Sequence, residues 1–189
     1  MSRLRAAALE LAALHPSTEL TVSAITHRAG VGREEFHRHV SSPVQLLAEA
    51  LGDELLSEFD AIKGTPADAM PRTKARLSLE HISKWIDVYR GPIRVELMTA
   101  LRQTLAPAFR MINEEHLRSH PERLPAGISV DDDWAIEFFA AYVTGGGMAA
   151  IESWVDGPDL DVERGLTLLA TAAPSFWHAR PEASRTTSS

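Results

Sequence analysis

The sequence predicts an all-α protein with a small N-terminal head and a larger helical body. Three observations support this. Segments between glycine and proline breakers repeat their apolar residues at helical period, no stretch alternates apolar and polar residues as a half-buried strand would, and capping residues stand where helices should start. There is no internal repeat.

Each element follows from local signals. Leu4, Ala7, Ala8, Leu11 and Leu14 make one stripe that ends at His15-Pro16. Thr21 is a good N-cap for a short second helix with Val22, Ile25 and Ala29, and Ala29-Gly30-Val31-Gly32 reads as a turn. A third helix spans about Arg33 to Val40, with Phe36 and Val40 one turn apart. Ser42-Pro43 opens a fourth, serine capping and proline in the first turn, which carries Leu46, Leu47, Leu51, Leu55, Phe59 and Ile62 up to Gly64. Thr65-Pro66 starts a fifth, running to Tyr89 before Gly91-Pro92. A sixth presents Ile93, Leu97, Met98, Leu101 and Leu105, and Pro107 marks a kink or a new start before Phe109, Ile112 and Leu117. Residues 121–133 form the long loop. Asp131 or Asp132 then caps a long eighth helix through Trp134, Phe138, Tyr142 and Trp154, and Asp161 caps a ninth with Val162, Leu166 and Leu169. The end, from about His178, reads as a disordered tail.

Composition narrows the function. With no cysteine among 189 residues, disulfides, zinc ribbons and thiol catalysis are excluded. No run approaches the roughly 18 consecutive apolar residues of a membrane span, so the expectation is a cytoplasmic protein with no membrane partner. The net charge of −7 argues against general nucleic-acid affinity, but it is uneven: the first fifty residues balance five arginines against five glutamates and hold half of the eight histidines. No paired carboxylates, nucleophile-base arrangement or phosphate-cradling loop stands at meaningful spacing, so an enzyme is not expected.

The stretch Leu20–Leu51 is the informative one. A short helix, a glycine turn, a second short helix and a capped long helix make a helix-turn-helix arrangement. Thr21, Ile25, Ala29-Gly30-Val31, Arg38-His39 and Leu46-Leu47 occur in the order and spacing found in the TetR family of bacterial transcriptional regulators, which this chain resembles over residues 1–55. TGGGMAAIESWVDGP further on looks like that family's eighth helix. The resemblance implies a nine-helix TetR-like architecture: a DNA-binding head at 1–45, an effector-binding and dimerisation body at 46–178, and a tail at 179–189. It also implies DNA contacts from Thr21, Arg28, Arg33, Glu34, Glu35, His37 and Arg38, an apolar effector pocket in the body, and a homodimer through the eighth and ninth helices. Candidates for the pocket are Trp85, Tyr89, Met98, Leu101, Phe138 and Tyr142, and for the dimer contact Trp134, Phe138, Ile151, Trp154, Leu166 and Leu169.

Four departures from the family pattern bear on DNA. Gly32 replaces the usual serine, Glu34-Glu35 a Gly-Thr pair, His37 a phosphate-touching tyrosine and Pro43 a phosphate-gripping lysine. Glutamate can accept from cytosine N4, yet two carboxylates on this face should weaken non-specific binding. Alternatively, Glu34 and Glu35 simply complement the helix dipole. Protonation of His27, His37 and His39 would add positive charge there as pH falls. The functional expectation is a ligand-responsive repressor that binds a palindromic operator as a homodimer and is released by a hydrophobic small molecule. The competing expectation is a degenerate helix-turn-helix protein that binds a protein partner. Glu115, His116 and His120 share a helix face at metal-ligand spacing, but histidines ahead of a proline are common at surfaces. No metal or cofactor is assigned.

Overall fold

The computed structural model describes residues 1–14, 20–66 and 69–177. Among these residues the chain has nine α-helices and no strand, as the sequence predicts. The expected tail at 179–189 and the helix stop at His15-Pro16 lie outside the described residues.

The head is α1 (Ser2–Leu14), α2 (Val22–Ala29) and α3 (Arg33–His39). Leu4, Ala7 and Ala8 of α1, Ile25 and Ala29 of α2, Phe36 of α3, and Val40 and Leu46 form one buried cluster. Capping sets its angles. Thr21 Oγ1 accepts from the Ala24 N–H at 3.1 Å, and Gly30 turns the chain out of α2 with φ at 65°, a value glycine adopts without strain.

α4 (Pro43–Ala61) starts as expected, with Ser42 Oγ accepting from the Gln45 N–H at 3.1 Å and Pro43 in the first turn. It serves two cores. Leu46 closes the head cluster, while Leu47, Leu51, Leu55 and Phe59 belong to the body's. Arg5 ties α1 to α4 through Glu49 at 3.2 Å and through Asp53.

The body adds α5 (Met70–Lys84), α6 (Ile86–Tyr89), α7 (Arg94–Ser119), a 3₁₀ turn at Pro121–Arg123, α8 (Asp133–Val155), α9 (Val162–Ala172) and a second 3₁₀ turn at Ser175–Trp177. Three boundaries differ from expectation, the first being the start of α5 at Met70 and not at Thr65-Pro66. The fifth predicted helix breaks at Trp85, whose indole N–H is held by Glu54 of α4 at 3.0 Å, so the chain turns and resumes as α6. At Pro107 there is no new start: α7 runs 26 residues straight through it. Pro107 and Gln103, whose carbonyl loses its helical partner, are both exposed residues, while Leu101 and Leu105 hold the helix to the core.

Two glycines mark close approaches. A methyl at Gly52 would lie 3.2 Å from Leu105, where α4 crosses α7. A methyl at Gly165 would lie 2.8 Å from Trp154 Nε1 and 2.9 Å from Leu79, where α9 beds against α8 and α5. The apolar surplus assigned to a dimer seam therefore divides. Trp154 (9 % exposed) and Leu166 (2 %) are core residues of the single chain, and Leu169 and Ile151 pack against that core. Trp134 (72 %), Phe138 (54 %) and Tyr142 (61 %) form an outward stripe on α8, continued by exposed Ala141, Gly145, Ala149 and Ser153. Among the described helices α8 alone is long and apolar enough to cross a membrane by length and composition, which qualifies the expectation that no segment comes near a span. Its inner side is taken by protein: Ile136, Ala140 and Thr144 are buried.

Arg90, just beyond α6, donates from Nε to the Val155 carbonyl at 2.8 Å and from Nη2 to the Gly157 carbonyl at 2.5 Å. A cation from a distant turn thus satisfies the open carbonyls at the end of α8.

Candidate nucleic-acid interface and ligand cavity

On the head, burial of Phe36 turns the opposite side of α3 outward. Arg33, Glu34, His37 and Arg38 are exposed there and Glu35 is half-buried. Arg33 reaches α2, its Nη2 donating to Ser23 Oγ at 3.3 Å, and the His37 ring meets Phe36 edge-on at 5.4 Å. Arg28 is exposed but turned to α1, where Glu10 holds it at 2.8 Å. Thr21 is half-buried with its hydroxyl oxygen engaged as the cap. Among the described residues no carboxylate lies within 4 Å of Arg33 or Arg38. Of the seven residues named from the sequence, Thr21 and Arg28 belong to the cap and body of α2 and the other five to α3, and Arg33 is the one whose side chain reaches from α3 to α2. Their charges are mixed: two arginines without a carboxylate partner and a histidine stand beside two carboxylates.

In the body, a cavity of about 170 Å³ opens between α4, α5, α7 and α8. Phe59 of α4, Met70, Pro71 and Ala75 of α5, Phe109 and Ile112 of α7, Val143, Gly147, Met148 and Ile151 of α8, and Trp177 give it a largely apolar wall. Phe59 and Phe109 stack at 5.9 Å. The polar groups are few, as in most small-molecule sites. Lys74 and Ser78 come from α5, Asn113 and His116 from α7 and Thr144 from α8. Asn113 Nδ2 donates to Thr144 Oγ1 at 2.9 Å. The Lys74 ammonium lies 5.8 Å from the centre of the Phe59 ring, and burial lowers its pKa, against the opposite pull of Glu115 and Asp60.

His116 closes one end. Arginine can only donate, so His116 Nε2 accepts from Arg123 Nη1 at 3.0 Å. His120 Nδ1 is bonded to the His116 carbonyl at 2.8 Å. Burial pushes His116 down to about 4, helped by the neighbouring positive charges of His120, Arg123 and Lys74 and opposed by Glu122. Among the described residues the ligand atoms of Glu115, His116 and His120 do not gather within 4.8 Å of one another.

None of the six residues predicted to line a pocket lines this cavity. Tyr89 and Leu101 are buried in the core, and Met98 packs against it. Trp85 borders a separate surface recess with Ala12, Ala13, Lys84, Asp87 and Val88. Phe138 and Tyr142 face outward. Helical period names an apolar face but not what it meets, and α7 and α8 are apolar on more than one side. The cavity's own signals were weak in the sequence: Gly147 inside an apolar helix, and Asn113 and Thr144 on otherwise apolar stripes.

No protein-family model and no curated protein matches the chain. Its fold matches a solved structure described as the fatty acid degradation regulator FadR from Bacillus halodurans, with a TM-score of 0.55 and 16 % sequence identity over 90 % of this chain and 94 % of that one. At that identity the likeness establishes the shared helical fold.

Proposed function

We propose that this chain is a ligand-responsive transcriptional regulator whose head binds operator DNA and whose body binds an apolar small molecule. One observation carries the reading: α4 is a single helix with Leu46 in the head core and Phe59 in the cavity wall. A ligand that repacks the Phe59 end therefore bears on the head through a rigid element, and a preference for one head placement shifts the population. The lining suits an apolar body with an anionic or polar end that reaches Lys74, and a fatty-acid-related ligand, in keeping with the structural neighbour's description, meets that requirement.

Homodimerisation through α8 and α9 belongs to the same reading. The outward stripe of Trp134, Phe138 and Tyr142, followed by small residues, is an apolar face of the kind that marks an interface. Repression relieved by the ligand, with two heads matched to successive major grooves, completes the proposal.

The test is fluorescence anisotropy with duplexes from the DNA upstream of the chain's own gene. Binding that is strongly salt-dependent, and that long-chain carboxylates release, supports the reading. Replacing Glu35 by Thr and Pro43 by Lys should strengthen binding. No binding by that double variant at low salt would favour the second reading, a protein partner. A specific observation supports that reading too: Glu34 and Glu35 occupy the exposed helix while Glu10 neutralises Arg28.

A further inference from the structure

The seam between α4 and α5 holds polar groups that neither the DNA face nor the cavity uses. Glu54 and Glu58 stand one turn apart on α4, so both carboxylates leave the same side of the helix. His81 of α5 opposes them. One ligand atom from each of the three lies within 4.8 Å of the other two. His81 is 2 % exposed, and neither of its ring nitrogens has a hydrogen-bond partner. A buried imidazole without a partner is costly, and a cation coordinated at one ring nitrogen removes part of that cost.

We propose that Glu54, Glu58 and His81 form a binding site for one divalent transition-metal ion of the zinc and cobalt class. One imidazole nitrogen with two carboxylate oxygens is a mixed donor set that favours such ions over calcium or magnesium. Metal-ligand bonds of about 2.0–2.2 Å place tetrahedral ligand atoms about 3.4 Å apart, so a contraction of at most about 1.4 Å closes the site. Glu54 and Glu58 are half-buried and reach it by rotamer changes, and water completes the shell.

The surroundings fit this use. Trp85 Nε1 donates to Glu54 Oε2 at 3.0 Å and so aims the carboxylate, as outer-shell donors do at metal centres. Lys84 Nζ pairs with Glu54 Oε1 and acts as the internal competitor for the ion, on a side chain exposed enough to swing away. A bound ion would fasten α4 to α5. The inference does not depend on the DNA-binding reading.

The full chain, freed of metal with a chelator, is titrated with Zn²⁺ by calorimetry and with Co²⁺ by its d–d absorption. One ion per chain and an absorption typical of low coordination number are expected. Glu58→Gln should weaken binding by about tenfold or more, a loss in the range seen when metal sites are disturbed. Lys84→Met should strengthen it. His81→Asn should abolish the Co²⁺ spectrum, and since a buried substitution can unfold the chain, Glu58→Gln on the half-buried side is the deciding variant. No uptake of either ion, binding in Glu58→Gln equal to the parent chain, or displacement by equimolar Mg²⁺ would each overturn the proposal.

Discussion

The head and the body solve different packing problems. In the head, side chains of α1, α2 and α4 close around Phe36 in one buried cluster. In the body, longer helices leave an open apolar cavity between them and an outward aromatic stripe on α8. The head presents its chemistry on the surface, through charges on α3. The body gathers it in a cleft, with a lysine, a histidine and an amide, all half-buried, among apolar walls. A filled core holds the surface above it in one shape, while an underfilled one leaves room for occupancy to alter packing.

That contrast can be broken most forcefully at Phe36. Phe36→Ala should cost about 3–5 kcal/mol, because the ring is fully buried in the head cluster and its removal leaves a cavity. Calorimetry should show the head's share of the unfolding enthalpy moved to lower temperature with the body's retained. One shifted transition would mean that the two cores melt as a unit.

Next is Gly165→Ala. Its methyl would press on Trp154 and Leu79, and overpacking of this kind costs about 1–3 kcal/mol, read as a lower Tm. An unchanged Tm would show that the body yields even outside its cavity.

A pH effect comes third. His116 is held down to about 4 in the folded chain, below its ordinary value of about 6.5. The unfolded chain therefore binds the proton more readily between these values, so this contribution is full above about pH 6.5 and is lost as pH falls toward about 4. His120, Arg123 and Lys74 oppose protonation in the fold, and Glu122 favours it. His116→Phe should flatten the dependence of Tm on pH across that window, and an unaltered slope would remove His116 from the account.

The smallest effect, Gly145→Ala, separates two states of the α8 face. Nothing in the single chain lies within 4 Å of the added methyl, so the isolated chain should gain about 1 kcal/mol from better helix propensity. If a second copy brings its helix against this face, sedimentation should instead show weaker self-association.

Legibility in the sequence followed the range of the interactions. The head was readable because Thr21, Gly30 and Ser42 act on atoms three or four residues away, and the structure repeats those caps. The break at Trp85 was not readable, since it depends on Glu54 from another helix. The cavity failed for the same reason: Phe59, Lys74, Phe109 and Met148 meet only after four helices pack. Trp154 was misplaced because an apolar residue near a helix end looks alike whether it seals a core or a seam, and only the bare Gly165 beneath its indole decides it. The trio of Glu54, Glu58 and His81 was likewise invisible, with its third member 23 residues beyond the second.

The shared helix α4 also works as a lever. Its 19 residues span about 28 Å at 1.5 Å each. Leu46 lies 13 residues from Phe59, or about 20 Å along the axis, so a tilt of about 5° about the Phe59 end would carry the Leu46 end through about 1.7 Å, and α3 with it. If two such chains pair, both arms move, and the separation of the heads changes by up to twice that amount. Side-chain movements at the cavity that are too small to disturb its own packing are thereby magnified into a change of span.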